Sequence, residues 1–181
     1  MQARTGHPIG RFAMPAPSPL PSAGPRSRIL IVDDHPLVRE GLQVRLSSQP
    51  DLEVCGEAED ASEGLKLIAA LRPALVILDL ALKDSDGLDL IKRLRVHDTT
   101  TRVLVVSAYD DALFAERALR AGANGYINKR ALQASVLDAV RAVLRGERYM
   151  SPTVQQHMLE QALGTTGRSR RGVDALTDRE L

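Results

Sequence analysis

The chain has 181 residues, 44% of them hydrophobic and 26% charged, which suits one ordinary globular domain with extensions. The net charge of +1 is uneven: residues 1–28 hold Arg4, Arg11, Arg26 and Arg28 and no acid, leaving 20 basic against 23 acidic residues beyond them, a balance that excludes a general nucleic-acid binder by charge alone. The single cysteine, Cys55, excludes a disulfide framework and predicts a small buried hydrophobe in a reducing, cytoplasmic setting, and no run reaches the roughly 18 apolar residues of a membrane span.

Residues 1–26 carry six of the ten prolines, with Gly and Ser between them, and are expected to be a disordered tail. From Arg28 onward, short apolar runs alternate with helix-length segments. "RILIVDD" predicts a buried strand, and "PLVREGLQVRLSS" a helix with Val38, Leu42 and Leu46 on one face. "LEVCGEA" is a second strand and "ASEGLKLIAALR" a second helix, closed by Pro73. "ALVILDL" is a third strand, followed by "DGLDLIKRLRVH", a helix with Leu88, Ile91 and Leu94 in register. The "DSDG" of Asp84 to Gly87 caps that helix; as a phosphatase motif it lacks the strand that should precede it. "TRVLVVSA" is a fourth strand, "DDALFAERALRAGA" a helix, "NGYINK" a short fifth strand and "ALQASVLDAVRAVLRG" a fifth helix stopped by Gly146.

Beyond Gly146, Ser151 and Pro152 mark the start of a further helix, and "GTTGRSRRGVD" a flexible linker whose Arg168, Arg170 and Arg171 are solvated charge. In the closing "DALTDREL", Thr177 and Glu180 form a capping box that opens a helix and leaves it within its first turn. So short a helix is expected to fray, with residues 165–181 mobile.

Strands that are apolar on both faces and alternate with helices predict an α/β fold: a doubly wound parallel sheet of five strands, with right-handed crossovers and a C-terminal helical linker. Chemistry in such sheets sits at the carboxyl ends of the strands. There the sequence places Asp33 and Asp34, then Asp79, Ser107 and Lys129, with Glu57 and Glu59 as a looser group. Three converging carboxylates repel one another, and a divalent oxygen-seeking cation, Mg2+, relieves this. No His or Cys has zinc-like spacing: His35 is expected to be a loop residue, and for His7, His97 and His157 the sequence alone identifies no ligand partner. A metal beside Lys129 suits a phosphoryl group, with Asp79 as the nucleophile and Ser107 bonding the product's oxygens.

The segments "ILIVDDHPLVREGL", "VILDLALKDSDGLDL", "VLVVSAYDD" and "AGANGYINK" resemble the signature segments of response-regulator receiver domains. The resemblance implies a flavodoxin-like strand order of 2-1-3-4-5. It implies Asp79 as phosphoacceptor, and Mg2+ on Asp33, Asp34 and Asp79 with the backbone carbonyl of Ala81. Lys129 would pair with the phosphoryl group, with Ser107 as the switch hydroxyl and Tyr126 as the aromatic that swings in behind it. The sequence departs from the family at Leu82 and Lys83, where Met-Pro is common, and at Arg130, where Pro or an acid is common. "DDHP", "SAYDD" and "YMSP" resemble the LuxR/FixJ branch, and "LTDRE" resembles the opening of its helix-turn-helix domain. The implied organisation is a receiver at 27–146, helix and linker at 147–174, and the stub of a DNA-binding domain at 175–181, explained as truncation. The implied partners are a sensor histidine kinase and, on phosphorylation, a second copy, through either the first and fifth helices or the fourth-helix face; DNA would be bound only through the absent domain. The alternative is a receiver that acts by protein contact alone, as a phosphate sink or adaptor.

Overall fold

The computed structural model describes residues 24–83, 85–108, 112–152, 154–160 and 163. In chain order the elements are β1 (Ser27–Val32), α1 (Pro36–Ser47), β2 (Leu52–Ala58), α2 (Ala61–Leu71), β3 (Leu75–Asp79), β4 (Ala81–Leu82), β5 (Ser85–Asp86), α3 (Gly87–His97), β6 (Arg102–Ser107), α4 (Ala112–Ala121), β7 (Gly125–Asn128), a single 3-10 turn at Lys129–Ala131, α5 (Leu132–Leu144) and β8 (Tyr149–Met150). Residues 152, 154–160 and 163 are also helical.

One parallel sheet runs in the order β2-β1-β3-β6-β7-β8. The five expected strands are β1, β2, β3, β6 and β7, and they stand in the expected order. The two-residue strand period explains how the sheet holds helices on both faces. Leu30, Val32, Val76, Leu78, Val103 and Val105 point into one core with Leu90, Ile91 and Leu94 of α3 and Ala115 and Ala118 of α4. Their neighbours Ile29, Ile31, Leu75, Ile77, Leu104 and Val106 point into the other, with Leu42 and Leu46 of α1 and Val136, Val140 and Val143 of α5. In β3 every residue is buried, so its terminal Asp79 is delivered from the centre of the sheet.

Three features differ from expectation. β8 adds a sixth parallel strand at an edge expected to end with β7, using residues assigned to the linker: Tyr149 N–H donates to the Asn124 carbonyl (3.2 Å) and Ser151 N–H to that of Tyr126 (3.2 Å). β4 and β5 form a small antiparallel ribbon ahead of α3. Finally, the buried side of α3 is Gly87, Leu90, Ile91 and Leu94, with Leu88 only half-buried at its start. The α3 cap is Asp86, whose carboxylate accepts from Leu88 N–H (2.8 Å), as the "DSDG" segment indicated; Asp84 lies outside the described residues, as do residues 1–23 of the segment expected to be a disordered tail and residues 165–181, expected to be mobile. Cys55 is the extra residue where the β1–β2 register shifts, and burial pushes its thiol up, the environment of an inert packing cysteine.

Candidate functional site

The expected residues converge at the carboxyl end of the sheet. Asp33 follows β1, Asp79 closes β3, Ser107 closes β6, and Lys129 opens the turn after β7. Asp33 and Asp79 are each 1% exposed, yet both face the same ammonium. Lys129 Nζ lies 2.9 Å from Asp33 Oδ2 and 2.7 Å from Asp79 Oδ2. The other oxygen of Asp79 accepts from Ala81 N–H (3.2 Å), so the chain just past β3 folds back over its own carboxylate. Burial works against the Lys129 charge, but the hydrogen bonds to Asp79 and Asp33 outweigh it and hold the ammonium above its ordinary range. Because the folded value lies above the unfolded one, this pair contributes fully below the ordinary lysine pKa of about 10.4, and the contribution vanishes as pH rises through the folded value. The difference in unfolding free energy between wild type and Lys129→Met is therefore expected to stay constant from neutral pH to about 10 and to shrink above it, as read from urea titrations at each pH.

Asp34 completes the mouth. Its Oδ1 is buried and makes no hydrogen bond, although His35 Nδ1 lies only 2.7 Å away, a close approach without bonding geometry. Ligand atoms of Asp33, Asp34, His35 and Asp79 all lie within 4.8 Å of one another. Three carboxylates against one ammonium leave two negative charges, the complement of a divalent cation. The orphaned Asp34 oxygen and this donor set fit such an ion.

Ser107 is fully buried one position past Val106, whose partner across the sheet is Asp79. Tyr126 is fully buried in the core on the α2–α4 side; the same core holds Val154, and Met150 and Met158, which follow the fifth helix, pack against that core. Lys83 and Arg130, the departures noted in the sequence, are both exposed. Tyr109, Asp110 and Asp111 of "SAYDD" lie outside the described residues.

Two residues gain importance from the structure. His35, expected in a loop, has its N–H on Asp33 Oδ1 (2.9 Å) and its ring over the carboxylates. Arg39 is buried in α1: it donates to the Asp33 main-chain carbonyl (2.7 Å), to Glu57 (3.3 Å) and to Glu59 (2.6 Å), tying the end of β1 to the end of β2. The available signal was its spacing, since Arg39 falls on the same side of α1 as Leu42 and Leu46. A cleft lined by Arg72, Arg93, His97 and Arg102 opens between α2 and α3 at the opposite end of the sheet, away from this chemistry.

The model of the response regulator receiver domain matches residues 29–141. The chain belongs to this family. It is 34% identical over 154 residues to the transcriptional regulatory protein LiaR of Bacillus subtilis, covering 85% of this chain and 72% of LiaR. Among solved structures, it resembles a two-component response regulator of the LuxR family from Aurantimonas (TM-score 0.74, 35% identity, 77% of this chain and 99% of that one) and the receiver domain of the response regulator NarL from Mycobacterium tuberculosis (TM-score 0.64, 34% identity, 67% and 98%). The receiver assignment and the LuxR/NarL-type relationship expected from the motifs are thus both met, and the carboxylate mouth lies in a signalling domain of a two-component system rather than in a metabolic enzyme.

Proposed function

We propose that this receiver accepts a phosphoryl group on Asp79 from a sensor histidine kinase. The single observation that carries the reading is the shared ammonium: Lys129 Nζ bridges Asp79 and Asp33 while Asp34 keeps a buried oxygen unbonded beside them. In the transfer, a carboxylate oxygen of Asp79 forms the new bond to phosphorus as the phosphorus–nitrogen bond of the kinase's phosphohistidine breaks; hydrolysis of the acyl phosphate restores the carboxylate. Asp33, Asp34 and Asp79, with the backbone carbonyl of Ala81, would hold Mg2+, which supplies neutralisation of charge on the phosphoryl oxygens. Lys129 turns from the Asp79 carboxylate to the phosphoryl oxygens, and Ser107 donates its hydroxyl to them. Tyr126 moves with Ser107, and Met150 and Val154, packed in the same core, pass the change to the segment after the receiver.

The receiver spans residues 27–146 in this reading, and the segment beyond it leads to a DNA-binding domain. Support comes from LiaR, named a transcriptional regulatory protein, and from the "LTDRE" motif. Work in the cytoplasm and dimerisation on phosphorylation follow from the same reading; among the described residues no helix is long and apolar enough to cross a membrane. With acetyl phosphate and Mg2+, the wild type is expected to gain one phosphoryl group, seen as a shifted band on a phosphate-affinity gel, and Asp79→Asn none. Equal incorporation by both would remove Asp79 from the role.

A further inference from the structure

We propose that His35 is a further ligand of the cation at the carboxylate mouth, and that it tilts the site toward first-row transition ions that accept imidazole, over Mg2+. This rests on the reading of the mouth as a metal site. Four observations lead to it. The residue is anchored in place, because its N–H is held by Asp33 Oδ1 at 2.9 Å. Its Nδ1 lies 3.1 Å from Asp33 Oδ1, 2.7 Å from Asp34 Oδ1 and 3.9 Å from Asp79 Oδ2, so it faces every carboxylate of the mouth. One ligand atom from each of the four residues falls within 4.8 Å of the rest, a spread that a single ion spans with bonds of about 2.0–2.4 Å. The ring itself is 60% exposed, so binding an ion disturbs no packing; it exchanges the Nδ1 hydrogen bond to Asp33 Oδ1 (3.1 Å) for the metal bond, with the Nδ1 proton released to water or carried as the Nε2 tautomer.

The chemistry then sets the direction of the effect. Mg2+ takes oxygen ligands, keeps its waters and gains little from an imidazole. Ni2+, Co2+ and Zn2+ bind imidazole well, and Mn2+ lies between these and Mg2+. Three carboxylates alone would rank these ions weakly; adding one ring nitrogen separates them.

The test is calorimetric titration of the full chain with Mg2+, Mn2+ and Ni2+, for the wild type, His35→Ala and an Asp34→Asn control. Circular dichroism checks the fold of each variant, and Ni2+ is titrated with and without saturating Mg2+ so that only displaceable binding is counted. The expected result is a loss of about tenfold or more in Ni2+ affinity for His35→Ala, a smaller loss for Mn2+ and a change within about twofold for Mg2+. If the three ions bind the wild type but His35→Ala weakens all of them equally, or none, the role of His35 is overturned and the metal site stands. If no divalent ion binds the wild type, both fall.

Discussion

Lys129→Met should unfold far more easily than the wild type in EDTA, with a loss of about 3–5 kcal/mol, and should regain much of it in millimolar Mg2+. Methionine keeps the length and apolar stem of the side chain and removes only the charge. That charge is the shared partner of two carboxylates that are each 1% exposed. Without it, Asp33 and Asp79 are buried charges that repel, and breaking a buried pair from one side costs far more than a surface pair contributes. A divalent ion bound to the folded state replaces the missing charge, so the variant should depend on metal more steeply than the wild type. Urea titrations of both proteins in EDTA and in Mg2+ measure this. Equal midpoints for the variant in the two conditions, both near the wild-type value, would mean that the carboxylates do not need the ammonium.

Gly87→Ala should cost about 2 kcal/mol and slow phosphoryl transfer to Asp79. A Cβ at this position would lie 2.5 Å from the Asp79 carbonyl oxygen and 2.8 Å from Leu80 Cα, both of them backbone atoms that cannot turn aside. Gly87 N–H donates to the Leu80 carbonyl (3.1 Å), so the first turn of α3 rests directly on the end of β3. In an open helix, Ala for Gly would gain about 1 kcal/mol. Here the methyl must push α3 away from Asp79, and the clash is expected to win. Urea unfolding together with the initial rate of phosphorylation by acetyl phosphate reads both effects. A variant more stable than the wild type, with an unchanged rate, would show that α3 shifts without cost.

The two effects share a cause that was partly legible in the sequence. Apolar runs ending in Asp33, Asp79, Ser107 and Lys129 could be located because a buried parallel strand is a long, clear signal and its last residue is known within one or two positions. The core alternation of β1, β3 and β6 follows from the same signal. Two-residue strands carry no periodicity, so β8 and the β4–β5 ribbon emerge only when the chain is folded and backbone groups seek partners. Arg39 was obscured for a different reason: hydropathy marks arginine as surface, whereas its guanidinium reaches Glu57, Glu59 and the Asp33 carbonyl from a buried helical position. The place of the His35 ring is not legible in the sequence, because distance from a strand end does not reveal which way a turn aims a ring.

Tyr126 and Ser107 illustrate the same division. Their strands and end positions follow from pattern, but the pairing of Tyr126 with Met150 across the sheet, beside the core that holds Val154, depends on a segment that returns to the sheet after α5. That return places the segment after α5 beside the strand that carries Tyr126.

The most direct measurement is the position of the acyl phosphate. The chain is incubated with acetyl phosphate and Mg2+, reduced with borohydride so that an aspartyl phosphate becomes homoserine, digested and sequenced by mass spectrometry. Homoserine at position 79, and nowhere else, is the expected result. Homoserine at position 33 or 34 with Asp79 intact would contradict the assignment of the nucleophile.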